Sequence, residues 1–323
     1  MGKMRSEEIE KAGGIIRKGG LVAFPTETVY GLGANALDPL AVARIFAAKE
    51  RPSFDPLIVH IASIDELELL TSGPTDLARL LAGKFWPGPL TLVLPKSKRV
   101  PDIVTSGMST VAVRMPDHPV ALELIGSAGC PVAAPSANKF GQLSPVTAAH
   151  VRKQLPDVDH VLDGGKTTVG IESTIISLEG NHCTLLRPGK ITLQDIEDAF
   201  PGLFVLQEGT TEKVVAPGLL KSHYSPTKPL YLFNPQHQQE LPPSSGVILH
   251  GVPLKPPACQ RLIYTSNNHN SLEVAAHLFS VLHAMEDDPE ISQIYIEPVE
   301  EHGVGRAIMD RIKKAAYKYN KER

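Results

Sequence analysis

The sequence predicts an α/β protein in two parts, a twisted mixed sheet with flanking helices followed by a small parallel three-layer unit. Its 323 residues exceed the roughly 150 residues of an average domain. Apolar runs alternate imperfectly between strand-like and helix-like spacing along the whole chain. The 26 glycines and 28 prolines follow no repeat period, which is typical of many short elements separated by turns. With 42% hydrophobic and 21% charged residues, the chain is globular rather than disordered, collagen-like or coiled-coil.

The first predicted domain spans residues 1–206 and opens with a strand at 21–24. A polar, glycine-rich segment at 25–33 follows, and a helix then begins at Asp38 and Pro39 and ends before Pro52. Further apolar runs predict strands at 57–62, 90–94, 110–114, 131–134, 160–163, 174–178 and 183–187. Helical spacing recurs near 75–85, 118–127, 147–155 and 192–200. A Glu-Gly-Asn turn at 179–181 predicts an antiparallel hairpin, so we expect a mixed sheet.

Residues 207–229 are predicted to form a linker, because they hold three prolines and little apolar periodicity. The part at 217–226 carries a lysine, a histidine and a tyrosine, residue types that bind ligands and that a spacer does not need. The second predicted domain spans residues 230–323. Its strands are expected near 230–233, 246–249, 261–264 and 293–296, with helices near 271–286 and 305–319. This βαβ-type order predicts a parallel sheet.

Charge and cysteine content restrict the function class. A net charge of −3 argues against wrapping nucleic acid with a broad basic surface, but it permits a focused cationic pocket. Cys130, Cys183 and Cys259 form no CxxC pair, so neither a disulfide framework nor a zinc site is predicted. No apolar run reaches the ~20 residues of a membrane span, and the first residues lack the apolar core of a signal peptide. We therefore expect a cytoplasmic protein without membrane contact.

Four basic residues lie beside strand ends or turns. Lys49 and Arg51 precede Pro52, Arg114 precedes a Met-Pro pair, and Arg187 precedes a Pro-Gly pair. An arginine that ends an apolar strand needs a polar partner, and several such strands can converge at one sheet edge. Surface ion pairing would explain any one of these cations, whereas a shared anion pocket better explains all four. The standard nucleotide motifs GxxxxGK[ST] and GxGxxG are absent.

Small polar clusters follow other apolar runs, at 135–138, at 144–145 and at 170–174. Such residues form turns by default, and they can also donate hydrogen bonds to a ligand. His60 lies inside an apolar run, where a hydrogen-bonded core histidine is commoner than a catalytic one. The residues alone thus predict a cationic, hydroxyl-rich pocket for a small anionic ligand.

These segments resemble the YrdC-type threonylcarbamoyladenylate synthases, in the long form that appends a Rossmann-like domain. The resemblance rests on PTETVYGLG at 25–33, KxRP at 49–52, PLIVHI at 57–62, FWPGPLTLVL at 85–94, VAVRMPDHP at 111–119, APSAN at 134–138, GIEST at 170–174 and LLRPG at 185–189. PGLLKSHYSP at 217–226 is similar to the family's PG...HY.P linker, except that Leu220 and Ser222 replace residues that are usually basic or aromatic. HGVGRAIMDRIKKAA resembles the end of the family's second domain.

The resemblance implies a nucleotidyltransferase. L-Threonine, bicarbonate or CO₂, and ATP give threonylcarbamoyl-AMP and pyrophosphate, the first step of threonylcarbamoyladenosine modification at adenosine 37 of tRNA. Mg²⁺ is the implied cofactor, bound with ATP mainly by phosphates and water, and no protein metal site is implied. A downstream threonylcarbamoyl transferase complex is the implied partner, so the contact with tRNA is indirect.

The resemblance also implies residue roles. Lys49 and Arg51 are the implied catalytic residues. L-Threonine is implied to lie among Thr28, His60, Arg114, Ala134 and Ser173, with Arg114 on its carboxylate. ATP is implied to be held by Lys49, Arg51, Asp55, Thr110, Ser136, Asn138, Ser144, Arg187, His223 and Tyr224. The last two would reach over the nucleotide from the linker, as a lid that excludes water.

Two alternatives remain open from the sequence. One is a double-stranded RNA-binding module that uses a concave cationic surface, with the basic C-terminal residues Lys313, Lys314, Lys318, Lys321 and Arg323 as a second contact. The other is carbamoyl-adenylate chemistry for hydrogenase maturation, but those larger proteins carry zinc-finger segments and this chain has no CxxC pair.

Overall fold

The computed structural model describes residues 2–209, 217, 218, 220, 222–234 and 240–320. In this part of the chain the helices are α1 (Gly2–Arg17), α2 (Pro39–Lys49), α3 (Leu67–Leu70), α4 (Asp76–Phe85), α5 (Asp102–Thr105), α6 (Pro119–Ala128), α7 (Ala148–Gln154), α8 (Leu193–Ala199), α9 (Ser271–Asp287) and α10 (Val304–Asn320). A 3₁₀ helix, Ile64–Glu66, precedes α3.

Strands alternate with these helices. They are β1 (Val22–Phe24), β2 (Gly31–Asn35), β3 (Ile58–His60), β4 (Leu90–Pro95), β5 (Thr110–Arg114), β6 (Val132–Ala133), β7 (His160–Val161), β8 (Thr174–Glu179), β9 (His182–Arg187), β10 (Val205–Glu208), β11 (Leu230–Leu232), β12 (Ser245–Leu249), β13 (Arg261–Tyr264) and β14 (Gln293–Ile296). Every strand and helix predicted from the sequence is present, although several are shorter than expected.

The first domain is built on one mixed sheet. Its described strands run in the order β10-β9-β8-β4-β5-β3-β6-β2-β1-β7. The hairpin predicted at 179–181 is confirmed, because β8 and β9 pair antiparallel on either side of it. The last strand, β10, ends at Glu208, so the sheet extends two residues beyond the predicted domain limit at 206.

The elements of this domain that were not predicted include helix α1 and strand β2, for identifiable reasons. Helix α1 contains Gly13, but that glycine lies against α6, where a Cβ atom would come within 2.8 Å of the backbone carbon of Ser127. The helix is stable because Ile9, Ala12 and Ile16 bury one face. Strand β2 begins in the polar, glycine-rich segment at 25–33, where no strand is predicted. Its glycines allow close packing, because a Cβ on Gly33 would lie 2.8 Å from the Phe24 ring.

The second domain has four described strands, in the order β11-β14-β12-β13, and every pairing is parallel, as predicted. Helices α9 and α10 both pack on the face that includes Ile248 and Ile294. Loop residues such as Leu241 form the third layer on the opposite face. The predicted fold class, a mixed α/β sheet joined to a small parallel unit, is confirmed.

The two domains share a hydrophobic core. Val29, Leu143 and Ile171 of the first domain are buried in the same cluster as Leu278 of α9 and Ile312 of α10. Burial of apolar side chains from both sides gives this interface the character of a domain interior. The second domain is therefore held in a fixed position beside the first. Within the described residues, no helix is both long enough and apolar enough to cross a bilayer.

Candidate active site

A cavity opens between the first domain and the linker. Its walls come from the segment between β1 and β2 and the first residue of β2, and from β3, β5 and β9. The residues that follow α2 and β6, those that precede β8, and the linker complete the walls. The lining residues are Thr26, Thr28, Val29, Gly31, Arg51, Ile58, His60, Arg114, Ala134, Pro135, Ser136, Glu172, Ser173, Arg187, Pro217, Gly218, His223 and Tyr224.

Most of the predicted site residues meet in this cavity. Those that line it are Thr28, Arg51, His60, Arg114, Ala134, Ser136, Ser173, Arg187, His223 and Tyr224. The other predicted residues, Lys49, Asp55, Thr110, Asn138 and Ser144, are not part of the lining. Lys49, Asp55, Asn138 and Ser144 are buried, and each contacts a residue of the lining. Lys49 and Asn138 donate to Ser136 O, Asp55 pairs with Arg51, and Ser144 donates to Glu172.

Strand register explains why the cations converge. His60 of β3 pairs directly with Arg114 of β5, and Ile175 of β8 pairs with Arg187 of β9. Paired residues project to the same face of a sheet, and alternate residues of one strand share that face. Ala112 shares the face of Arg114 on β5 and pairs with Val93 of β4, and Thr91 shares the face of Val93 and pairs with Ile175 of β8. Both arginines therefore lie on one face of the sheet. The cations meet over this face, rather than beyond one sheet edge as expected from the sequence.

Arg114 is buried and is held from three directions. Its Nε donates to Gly88 O at 3.2 Å, and its Nη1 donates to Thr28 Oγ1 at 3.0 Å. Its Nη2 lies 2.6 Å from Glu27 Oε1 as an ion pair. A guanidinium has five N–H donors, so donors beyond these three contacts are left for a ligand or water in the cavity.

Arg187 has a different environment, since all three of its contacts in the described chain are neutral oxygens. Nε donates to Ser173 O at 3.0 Å, Nη2 to Ser173 Oγ at 3.1 Å, and Nη1 to Pro217 O at 3.2 Å. Burial lowers the pKa of Arg187 from its usual value. Ser173 Oγ also lies 2.8 Å from Thr91 Oγ1 on the buried strand β4. These contacts fix both the guanidinium and the hydroxyl in the cavity wall.

Lys49 is the last residue of α2 and Arg51 lies two residues further on, but the two side chains contact different partners. Arg51 lines the cavity, and its Nη2 lies 2.9 Å from Asp55 Oδ2. Burial raises the pKa of Asp55, although the Arg51 charge opposes this rise. Lys49 Nζ instead donates to the backbone oxygens of Ser136 and Asn138. Burial, followed by repulsion from Arg51, holds the pKa of Lys49 well below its usual value.

His60 is a buried, neutral imidazole. Burial is the main cause that lowers its pKa to about 3, and repulsion from Arg114 adds to the shift. Its Nδ1 has no hydrogen-bond partner among the described residues. Because the ring stays uncharged at neutral pH, it adds a polar contact to the cavity without adding positive charge.

The linker covers the cavity and is held by helix α10. His223 N donates to Lys314 O at 3.3 Å, and Lys314 Nζ donates to Gly218 O at 2.7 Å. Tyr224 is buried with a φ of 59°, a conformation that is strained for a tyrosine. Burial, followed by repulsion from Arg51, holds the pKa of His223 well below its usual value. The histidine and tyrosine of the linker thus form part of the cavity wall.

Some functional residues were not predicted individually. Glu172 lines the cavity: its Oε1 accepts from Ser144 Oγ at 2.5 Å and its Oε2 accepts from Arg311 Nε at 3.0 Å. Arg311 belongs to α10 and is buried against the first domain. Glu27 and Glu172 lie inside the motifs at 25–33 and 170–174, but neither glutamate is singled out there. Nothing in the sequence of α10 indicates which of its basic residues is buried.

The basic residues of α10 contact protein groups rather than forming a free cationic surface. Lys314 is partly buried and binds the linker, Lys313 pairs with Glu301, and Lys318 lies 4.6 Å from the ring centre of Tyr319. The remaining residues of the predicted second RNA contact, at 321 and 323, lie outside the described residues. Among the described residues, no cluster of three His, Cys, Asp or Glu side chains could hold a metal ion.

Two family models match the chain. A model described as "Telomere recombination" matches residues 14–189, and one described as "Threonylcarbamoyl-AMP synthase, C-terminal domain" matches residues 191–317. Relatives named threonylcarbamoyl-AMP synthase are 42% identical in Pyrococcus abyssi, over 96% of this chain and 94% of the relative, and 43% identical in Bacillus subtilis, over 96% and 93%.

Solved structures agree with these matches. The crystal structure of P. abyssi Sua5 complexed with L-threonine superposes with a TM-score of 0.87 at 42% identity, covering 97% of this chain and 95% of that one. Escherichia coli YciO shares the fold of the first domain, with a TM-score of 0.51 at 24% identity over 59% of this chain and 93% of that one.

Proposed function

The chain belongs to the family of threonylcarbamoyl-AMP synthases, and we propose that its cavity joins L-threonine, bicarbonate or CO₂, and ATP into threonylcarbamoyl-AMP and pyrophosphate. The observation that carries this proposal is the convergence of Arg51, Arg114 and Arg187, all buried, on one cavity. Guanidinium groups match carboxylate and phosphate oxygens, and their charge is strengthened where water is excluded. A relative with 42% identity over nearly its whole length has been crystallised with L-threonine.

Threonine is proposed to bind at the end of the cavity that holds Arg114. The unused N–H donors of this arginine suit the α-carboxylate, and Thr28 Oγ1, which accepts from Arg114, lies beside them. Thr26 Oγ1 donates to Val29 O, so the hydroxyl proton of Thr28 is directed to Thr26 Oγ1. Thr28 then offers only an acceptor, which suits the amine next to the carboxylate.

The amine must be neutral to form the carbamate. A free α-amino group has a pKa of about 8, so about a tenth is neutral at pH 7. Arginines and a neutral His60 surround the proposed position, and such a cationic environment favours the uncharged amine. The amine nitrogen bonds to the carbon of CO₂ and releases one proton. No strong base is required, and His60, with a pKa of about 3, is not proposed as one.

ATP is proposed to bind toward Arg51, Ser136, Arg187, His223 and Tyr224. A carbamate oxygen attacks the α-phosphorus, the bond from this phosphorus to the β-phosphate oxygen breaks, and pyrophosphate leaves. Arg187 lacks a carboxylate among its described contacts, so its charge is available to stabilise the pyrophosphate. Lys49 is proposed to act one step back, by fixing the carbonyl oxygens of residues 136 and 138.

Mg²⁺ is proposed to arrive with ATP. Carboxylates are the protein ligands that this ion prefers, but Glu27, Asp55 and Glu172 each contact an arginine. The residues of the cavity therefore do not fit a protein-held magnesium site, and phosphate oxygens and water would be its ligands. The three free cysteines, at positions 130, 183 and 259, support the proposal of a reducing, cytoplasmic location.

The product is a mixed anhydride that water hydrolyses, so a closed cavity protects it until it is passed on. We propose a threonylcarbamoyl transferase complex as the recipient, with tRNA contacted only through that partner. The double-stranded RNA-binding alternative is disfavoured, because Lys313 and Lys314 of α10 contact protein groups.

The proposal is tested by measuring pyrophosphate release from ATP, with threonine and bicarbonate omitted in turn. We expect release only when both are present, together with a threonylcarbamoyl-AMP peak in mass spectrometry. Release that continues at the same rate without threonine would show that the proposed substrate is wrong.

A further inference from the structure

We propose that Glu27 is a positioning residue, which orients the Arg114 guanidinium for the α-carboxylate of threonine without touching the substrate. This inference rests on the proposed function of the cavity. Glu27 is buried, with 5% of its surface exposed, and it is not part of the cavity lining, whereas Arg114 is. The carboxylate therefore lies behind the guanidinium, on the side away from the cavity.

The contacts of Arg114 show what the carboxylate adds. Two neutral oxygens, Gly88 O and Thr28 Oγ1, accept from Nε and Nη1. Glu27 contacts the third nitrogen, Nη2, at 2.6 Å as an ion pair. The carboxylate thus attracts Nη2 by charge and holds the third corner of the guanidinium. An arginine has five N–H donors, so those not used by these three contacts remain available to an anion in the cavity.

Electrostatics also favours this arrangement. An unpaired guanidinium in a buried site is costly, and it would reorient toward any nearby acceptor. A carboxylate in the cavity wall would compensate the charge, but it would also repel the substrate carboxylate and hold the amine in its protonated form. Glu27 compensates the Arg114 charge from outside the lining, and the carboxylate that does line the cavity, Glu172, is paired with Arg311.

Asp55 offers a matched comparison. It lies beside Arg51 as Glu27 lies beside Arg114, with an Asp55 Oδ2 to Arg51 Nη2 distance of 2.9 Å, and it too is absent from the lining. The two acids serve different ends of the cavity under the proposed function. Loss of Glu27 should therefore affect threonine, whereas loss of Asp55 should affect ATP.

The experiment compares Glu27→Ala, Glu27→Asp and Glu27→Gln with Asp55→Asn, by steady-state pyrophosphate release with each substrate varied in turn. Glu27→Ala is expected to raise the KM for threonine about tenfold or more, as when a charge-assisted hydrogen bond to substrate is misaligned, with the KM for ATP nearly unchanged. Glu27→Gln keeps the length but removes the charge that attracts Nη2, so it should resemble Glu27→Ala. Glu27→Asp keeps the charge, although it is one methylene shorter, so it should restore part of the threonine affinity. Asp55→Asn should raise the KM for ATP.

Circular dichroism and thermal unfolding establish that each variant is folded, and Glu27→Gln and Glu27→Asp decide the question if Glu27→Ala is not. The inference is overturned if both the alanine and the glutamine variants keep the threonine KM within about twofold, or if they raise both KM values equally. Titration of L-threonine into the full chain without ATP gives the same comparison as dissociation constants. A wild-type protein that binds threonine but releases no pyrophosphate would refute the proposed reaction, while the Glu27 inference would still be decided by these constants.

Discussion

Replacement of Arg311 by methionine should destabilise the protein strongly, although Arg311 lies outside the cavity. The side chain is 1% exposed, and it donates to Glu172 Oε2 at 3.0 Å and to Pro188 O at 2.6 Å. Removal of one partner of a buried ion pair leaves the other charge uncompensated, which costs about 3–5 kcal/mol. That corresponds to a change of more than about a hundredfold in the unfolding equilibrium. We expect the midpoint of urea unfolding, followed by circular dichroism, to fall accordingly.

The double variant Arg311→Met with Glu172→Gln separates this cause from a simple loss of packing. Neutralising Glu172 removes the uncompensated charge, so the double variant should be more stable than Arg311→Met alone, giving a coupling energy of about 1–3 kcal/mol. Free energies of unfolding for Arg311→Met and wild type that agree within about 0.5 kcal/mol would refute the reasoning, because surface substitutions already produce effects of that size. Strictly additive effects would refute the ion-pair explanation.

Three further predictions follow from the site and its surroundings. His223→Ala should lower turnover while the far-ultraviolet circular dichroism spectrum stays unchanged, with the exposed neighbour Ser222→Ala as control; equal rates for both would remove the covering role of the linker. Lys49→Met should raise the KM for ATP about tenfold or more, because two backbone oxygens lose their donor; an unchanged KM would show that this segment is held by other contacts. His150 and His283 stack at 3.8 Å, and burial lowers the pKa of each to about 4. Stability is therefore fully present above the unfolded pKa of about 6.5 and is lost as the pH falls toward the folded value. His150→Leu should reduce that loss in denaturation curves recorded from pH 7 to pH 4.5, and an identical pH dependence would contradict the assignment.

The sequence contained enough information for the strands and for the convergence of the arginines. Short apolar runs that end in Arg114 and Arg187 are visible as letters, and one sheet can bring such ends together. The sequence could not show that the two arginines share a face of the sheet, because this depends on the register through β4 and β8. Strand β2 was hidden for a related reason, since its glycines carry no apolar pattern although they are buried.

The contacts of charged residues behind the cavity wall were the least predictable. Lys49 is predicted to bind ATP, and nothing in the sequence indicates that its ammonium group donates to the backbone oxygens of Ser136 and Asn138. Arg311 lies in a helix with several basic residues, and only packing against the first domain distinguishes it from its exposed neighbour Lys313. Composition and spacing report that a charge is present, but the direction of a long side chain is decided by tertiary packing.

The position of the second domain follows from the same packing. Helix α10 contacts the linker through Lys314 and through Tyr319, whose Oη donates to Pro226 O at 2.6 Å, and it contacts the cavity wall through Arg311. One rigid helix therefore fixes both the segment that covers the cavity and the carboxylate of Glu172, which binds Ser144. A strained backbone such as that of Tyr224 persists only where its surroundings hold it, so the linker needs this support to keep its conformation over the cavity. The second domain thus shapes the cavity, although none of its described residues lines it.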